Sequence, residues 1–470
     1  MFAHSRILKK TLLSASIVFV TSVNAAEHVD LMITDATVLT MNSDKTVYEH
    51  GTVVVNGDKI IAIGDAKLAQ QYTADKVIDV DGDIVMPGLI NTHTHVSMTV
   101  FRSLGDDVPD RLHRYIFPLE SKLVSREMVR IGANLGNLEM LKGGVTTYGD
   151  MYYFEDEVAK TVDKIGMRAV LGQTIIKYPV ADAKNAQAGI DYALNFIEKY
   201  KDHPRITPAF APHAPYTNST ETLQQISQLA KQHNVPVLIH LAESDVENKQ
   251  IAERSGGKSP VAYMDSIGAL DERLVAAHMI NVSDADIALA KQADIGIAHN
   301  MSANIKSAKG VSPALKMYDE DLRVGLGTDG PMSGNTLSTI DEFNQVAKVH
   351  KLVNQQRDAM PPLKVIDMAT MGAARALHME DKIGSLEVGK FADIIVIDTK
   401  AANMIPMYNP YSVLVYSANS SNVKHAIVAG KILMEDREML TVNEQEIIDE
   451  AIQFTHKVRK TVIESGEKVI

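Results

Sequence analysis

His93 and His95 stand two residues apart at the close of an apolar run, Ile84 to Ile90, that reads as a buried strand. Side chains alternate along a strand, so residues two apart point the same way. Two imidazoles on one face of a strand end can grip a single metal ion once other parts of the chain bring further donors to the same place. Three more apolar runs end on such donors, at His240, His278 and Asp329. The chain has no cysteine, so every protein ligand must be nitrogen or oxygen and no disulfide forms.

Each of these residues also has an ordinary use. A lone His-x-His pair is commonly just hydrogen-bonded, Asp329 in Gly-Leu-Gly-Thr-Asp-Gly has the setting of a turn residue or helix N-cap, and His278 in Ala-Ala-His that of a satisfied core histidine. Context favours chemistry. His240 opens His-Leu-Ala-Glu, which sets Glu243 just past a strand end, where its carboxylate reaches back toward a water on the metal. Zinc lowers the pKa of such a water to about 7, yet a base must still take the proton and deliver it to a leaving group. Glu243 suits that shuttle. Asp329 is placed to ligate metal and orient the nucleophile, and His278 to polarise the substrate or hydrogen-bond the attacking hydroxide.

An architecture must bring these strand ends together. From Met86 onward short apolar strands alternate with helical stretches, the pattern of repeated βαβ units and a parallel sheet. The strands are Val85 to Asn91, Thr146 to Asp150, Arg168 to Ile176, Ile206 to Pro212, Pro236 to His240, Leu274 to His278, Ile295 to His299 and Val324 to Thr328. Eight strands over the ~250 to 300 residues such a fold occupies predict an α/β (β/α)₈ TIM barrel, with an open doubly wound sheet as the alternative. Barrel active sites are built where strands end and βα loops begin. His93, His95, His240, His278 and Asp329 all fall there, and closure sets Asp329, after the eighth strand, beside the histidines of the first.

The two ends of the chain read differently. Leu31 to Met41 and Thr52 to Ile63 are rich in β-branched residues, with Asn56, Gly57 and Asp58 as a hairpin turn; strands return at Phe391 to Asp398 and at His425 to Glu435, turning at Ala429, Gly430 and Lys431. Neither flank is long enough to bury a core alone, so both are expected to form one small composite β-sandwich, residues 27–86 and 390–440, around a barrel over 87–389. Glu444 to Glu464 then reads as a closing amphipathic helix within 441–470.

The first residues carry Arg6, Lys9 and Lys10, then an apolar stretch from Thr11 to Val23 and the small residues Ala25 and Ala26, with residues 1–25 read as the signal. That order is the pattern of a secretory signal, and the stretch is short for a membrane span; an anchoring helix is the alternative. The expectation is a secreted, periplasmic protein with no stable membrane anchor after cleavage. The chain carries a net charge of −12, and removing the three basic residues of the first 25 leaves 44 Lys and Arg against 59 Asp and Glu. Such a protein should not seek nucleic acid. No Gly-Lys-Ser/Thr phosphate loop and no Gly-x-Gly-x-x-Gly after a strand is present, which argues against nucleotide-driven chemistry.

Pro87-Gly88-Leu89-Ile90-Asn91-Thr92-His93-Thr94-His95, His240-Leu-Ala-Glu243, Ala277-His278, His299-Asn300 with Asn304 and Lys306, and Gly327-Thr328-Asp329-Gly330 together resemble the amidohydrolase superfamily. Within it they are similar to the branch of methylthioadenosine/S-adenosylhomocysteine deaminases and triazine hydrolases, from about Val29 to about Leu440. Gly384-Ser-Leu-Glu-Val-Gly-Lys-Phe-Ala-Asp393 resembles that family's return into its β-sandwich. The resemblance implies one divalent metal held by His93, His95, His240 and Asp329, with zinc the usual ion and Fe²⁺ the alternative, Glu243 as proton shuttle and His278 beside the hydrolytic water. Binuclear relatives bridge two metals with a modified lysine or a carboxylate from the fourth strand. Here that strand ends Ala209-Phe210-Ala211-Pro212-His213 and offers neither.

The same resemblance implies two substrate contacts: Glu120, in Phe-Pro-Leu-Glu, for ribose hydroxyls, and His213, in Ala-Pro-His-Ala-Pro-Tyr, for the bound nucleoside. Their ordinary alternatives are a solvated loop charge and a structural histidine. The family's loop between Met98 and Glu120 supplies a tryptophan that packs on the purine, whereas this chain has Arg111-Leu112-His113 there and no tryptophan at all. Stacking would fall to Tyr115, Phe117 or a moved loop. The arginines that some deaminases use for a homocysteine carboxylate have no clear counterparts near Gln173 to Lys184. The resulting expectation is a hydrolytic deaminase of a small aminated heterocycle, most of all a 5′-substituted adenosine, with homo-oligomerisation left open. Triazine dechlorination or guanine or pterin deamination on the same machinery is the alternative, and a non-catalytic periplasmic binding protein the alternative of another class.

Overall fold

The computed structural model describes Met1 and residues 26–468, so the segment read as a signal lies outside the described residues. Nine strands drawn from both ends of the chain form one hydrogen-bonded sheet. The N-terminal part supplies β1 (Glu27–Leu39), β2 (Val47–Asn56), β3 (Lys59–Gly64), β4 (Tyr72–Asp79) and β5 (Ile84–Pro87). The barrel follows as β6 (Leu89–Thr94), β7 (Val145–Tyr152), β8 (Arg168–Ile175), β9 (Ile206–Pro212), β10 (Val237–Leu241), β11 (Leu274–His278), β12 (Gly296–His299) and β13 (Arg323–Leu326). The chain then returns to the first sheet with β14 (Ile394–Ile397), β15 (Val423–Val428), β16 (Lys431–Glu435) and β17 (Glu438–Met439).

The strand order of the composite sheet is β17-β16-β15-β14-β5-β1-β2-β3, with β4 beside β1, and the two ends of the chain meet where β5 pairs antiparallel with β14. Leu31, Ile33, Ala36 and Val38 of β1 all bury into this sheet's own core with Val53, Val55, Ile394 and Val396. Strict alternation would turn Ala36 and Val38 to the opposite face from Leu31 and Ile33. The register shift between Ile33 and Ala36, where Asp35 takes φ +53°, adds the extra residue that restores them.

The barrel strands run parallel in sequence order from β6 to β13. The seam between last and first is closed by the Thr92 hydroxyl donating to the Leu326 carbonyl (2.9 Å) and by the amides of Thr328 and Asp329 donating to the His93 carbonyl (3.2 and 3.0 Å). Ile90, Val170, Ala209, Leu238 and Val275 pack inside with Ala373, Ala374 and Leu377 of the segment around the helix Met371–Ala376. One expectation is corrected here. Val85 to Asn91 is not one strand: it breaks at Gly88, so that Ile84–Pro87 belongs to the composite sheet and Leu89–Thr94 to the barrel. A Cβ on Gly88 would lie 2.1 Å from the Thr146 hydroxyl oxygen, so only glycine lets the chain cross between sheets there.

Arg168 and Asp393 tie the two sheets together. Both are buried, with Nε to Oδ2 at 2.8 Å and Nη2 to Oδ1 at 3.2 Å, and the guanidinium lies 4.3 Å over the Phe391 ring. The closing helix Glu444–Glu464, capped by the Asn443 side chain, buries Ala451, Phe454, Val458 and Val462 along one face against the helix Arg126–Lys142. Among the described residues no helix is long and apolar enough to cross a membrane.

Candidate active site

Five of the sequence-selected residues converge at the C-terminal mouth of the barrel. His93 projects from the end of β6 and His95 follows it; His240 and His278 come from the ends of β10 and β11, and Asp329 from the turn after β13. One donor atom each from His93, His240, His278 and Asp329 falls within a mutual 4.8 Å. His95 joins them, its Nε2 lying 3.2 Å from His240 Nε2 and 3.3 Å from Asp329 Oδ1. Two of these turns use a left-handed backbone at a non-glycine residue, His278 at φ +78° and Asp329 at φ +60°, strain that collects at functional sites.

The orientation of the rings argues for a cation. His95 Nδ1 donates to the Met151 carbonyl (2.6 Å) and His240 Nδ1 to the His213 carbonyl (2.7 Å), so each neutral ring keeps its lone pair on Nε2. Those two lone pairs face each other at 3.2 Å, a repulsive contact unless a positive charge lies between them. His93 Nε2 is buried without a hydrogen-bond partner among the described residues, 3.6 Å from Asp329 Oδ1. Three imidazole nitrogens and a carboxylate with no sulfur fit one divalent ion of the zinc type.

The profile of the amidohydrolase family matches residues 84–433 of this chain. The chain belongs to the amidohydrolase family. It is 40% identical over 440 residues to a 5-methylthioadenosine/S-adenosylhomocysteine deaminase of Syntrophobacter fumaroxidans, covering 93% of this chain and 99% of that protein. It is 38% identical over 426 residues to a 5′-deoxyadenosine deaminase of Methanosarcina mazei, covering 90% and 96%. Among solved structures, an adenosine deaminase from Xanthomonas campestris with bound zinc superposes with a TM-score of 0.91 at 32% identity, over 93% of this chain and all of that one.

In this amidohydrolase site the electrostatics divide the donors. Burial drives His93 down to about 4 and, with the neighbouring histidines, holds His240 well below its ordinary value. Burial acts on His95 too, but the Asp329 carboxylate outweighs it and holds that imidazole up at about 9. Burial opposes ionisation of Asp329, and the close approach of His93 and His95 overcomes it, keeping the carboxylate charged far below the usual range.

Glu243 lies beyond β10 with Oε1 3.7 Å from His278 Nε2, its backbone N–H donating to Glu247 Oε2 (2.9 Å). Despite burial, His278 and Lys309 hold its carboxyl below the ordinary value. His278 Nδ1 bonds Asn304 Oδ1 at 2.8 Å, which turns Nε2 toward the site. His213 stands beside this group, its ring centroid 4.8 Å from that of His240, and burial takes its imidazole down to about 4. Glu120 approaches from the helix Phe117–Leu123, accepting a 2.9 Å hydrogen bond from the Tyr152 hydroxyl, whose ring centroid is 6.3 Å from that of His95.

The aromatic candidates separate. Tyr115 is buried and its hydroxyl donates to the Lys468 carbonyl, which directs it to the C-terminal segment, whereas Phe117 is 47% exposed beside His113 and three residues from Glu120 on the same helix. In the loop where the resemblance implies a tryptophan, Arg111 donates to the Met332 carbonyl. The loops around the mouth are tied by Lys306, which donates to Asp106 (2.7 Å) and Asn335 (2.9 Å). Sequence reading passed over two residues. Tyr152 carries a usable signal, a polar aromatic at the end of a barrel strand; Lys309 carries none, because only the loop after the helix Met301–Lys306 brings it to Glu243.

Proposed function

We propose that this amidohydrolase is a metal-dependent hydrolytic deaminase of 5′-substituted adenosines. The observation that carries the reading is Glu243, an ionised carboxylate at the rim of the converging donors with a histidine on one side of it. The names of the relatives support the substrate class. His93, His95, His240 and Asp329 would hold the metal, with His278 beside them. Held there, an ion, zinc by preference, would supply Lewis acidity enough to make a water molecule nucleophilic at neutral pH.

Glu243 accepts a proton from the attacking water and passes it to the ring nitrogen next to the amine-bearing carbon. The water oxygen bonds to that carbon, giving a tetrahedral centre. The second water proton travels through Glu243 to the amine, the C–N bond breaks, and ammonia leaves a 6-oxopurine. His278, fixed by Asn304, orients the water together with Asp329. Glu120 accepts from the ribose hydroxyls, with Tyr152 holding its other side, and His213 contacts the nucleoside.

Export is part of the proposal. The basic, apolar and small-residue order of residues 1–25 supports a cleaved signal and a periplasmic, scavenging enzyme. Intact precursor in the cytoplasmic fraction would sink that part. The enzymatic part is tested by ammonia release from methylthioadenosine, S-adenosylhomocysteine, adenosine, guanine and an aminotriazine. Release from an adenosine-type substrate, abolished by chelation, is expected; release from guanine or the triazine alone would move the substrate to another branch.

A further inference from the structure

Lys309 is the one cation whose side chain touches Glu243 among the described residues. Its ammonium contacts Oε1, the same oxygen that faces His278 Nε2 at 3.7 Å, while Oε2 makes no hydrogen bond among the described residues. The Lys309 side chain is 35% exposed and that of Glu243 20%, so the lysine reaches the carboxylate from the solvent side of the mouth. Its backbone is fixed by the turn that holds His278. The Lys309 amide donates to the Asn304 carbonyl (3.0 Å), Asn304 Oδ1 bonds His278 Nδ1, and the flanking Ala308 and Gly310 take φ +54° and +114°. Asn304 thus sets two groups that bracket the carboxylate.

We infer that Lys309 is a positioning residue for the proton shuttle: by holding Glu243 Oε1 beside His278 it leaves Oε2 as the oxygen that takes and delivers protons. A carboxylate free to rotate would present either oxygen to the water and to the ring nitrogen, and displacements of about 1 Å in such groups cost on the order of 100-fold in rate. Lys309 lies outside the cluster of metal donors and makes no contact with Glu120. Its removal should therefore act on turnover and leave binding alone.

The inference rests on the deaminase reading of the site, and wild-type ammonia release tests that reading separately. Lys309→Met preserves the length of the side chain and removes its charge and donors. The expected result is one bound metal as in wild type, KM within about twofold, kcat lower by about 10- to 100-fold, and substantial recovery in Lys309→Arg. A crystal structure of metal-loaded Lys309→Met, which needs no substrate, should show the Glu243 carboxylate displaced from its place beside His278. Unchanged kcat with Glu243 in place overturns the inference. So does a raised KM with kcat intact, which would make Lys309 a substrate-capturing residue, and so does loss of the metal.

Discussion

His95 Nε2 and His240 Nε2 face each other at 3.2 Å while the opposite nitrogen of each ring is committed to a backbone carbonyl. In the metal-free chain that contact is relieved by a proton, and His95, held up at about 9 by Asp329, is the ring that takes it. A metal ion must displace this proton. Zinc binding at pH 7 is therefore expected to release about one proton, and apparent affinity should rise about tenfold per pH unit up to about 9. Titration calorimetry in buffers of different ionisation enthalpy measures the proton directly. Saturating zinc at about 1,000 times its Kd should stabilise the fold by ~4 kcal/mol, an increment that His240→Ala removes.

Glu243→Gln keeps the shape of the shuttle and removes its basicity. The variant should bind one metal and substrate as wild type does, with kcat lower by about 10²- to 10⁴-fold, the usual share of a positioned acid–base group. Single-turnover product analysis beside metal content separates this outcome from that of a binding protein, in which wild type and variant would behave alike.

The strand ends that build this site were legible because each apolar run stops on a residue that an apolar interior would not choose. His240, His278 and Asp329 are such terminators, and parallel order brings consecutive terminators to one end of the barrel. The break at Gly88 was hidden, since Ile84 to Ile90 is uniformly apolar and both of its halves are buried, in different sheets. The bulge in β1 was equally silent. Tyr115 could be named as a stacking candidate but not excluded, because the carbonyl that takes its hydroxyl belongs to Lys468, 353 residues away. Tyr152 was readable at a strand end, though its pairing with Glu120 was not, and Lys309 reaches its carboxylate through tertiary geometry that no local spacing encodes.

Glu120 offers a pH signature. Burial pushes its carboxyl up to about 7 against the lowering effect of the Tyr152 hydroxyl. Below that pH the group is protonated and loses acceptor capacity for a ribose diol, so KM should rise as pH falls through about 7. Glu120→Gln should flatten this dependence while leaving metal content unchanged. The stability effect has the opposite sense. The native carboxyl binds its proton more tightly than the unfolded one, whose value lies near 4.5, so its stabilising contribution is full below about 4.5 and declines as pH rises through about 7. Steady-state kinetics and urea unfolding across pH 5 to about 8.5 read the two effects independently.

Arg168 and Asp393 permit a test of how firmly the composite sheet is fastened to the barrel. Both charges are buried, so removing one strands the other, and Arg168→Met should cost about 3–5 kcal/mol. Replacing both, as Arg168→Met with Asp393→Leu, should recover much of that loss, because well-packed apolar groups substitute for a buried ion pair at little net cost. Recovery should nevertheless be incomplete. Asp393 Oδ1 also accepts the Ala429 amide at 2.7 Å, and Arg168 Nη1 donates to the Pro204 carbonyl at 3.0 Å. The double variant leaves those backbone groups unpaired, a penalty of about 1–3 kcal/mol each. Denaturant unfolding of the two variants should therefore place the double between wild type and the single, and a double variant no better than the single would mean that the Asp393–Ala429 bond inside the composite sheet, lost only in the double, matters as much as the stranded charge.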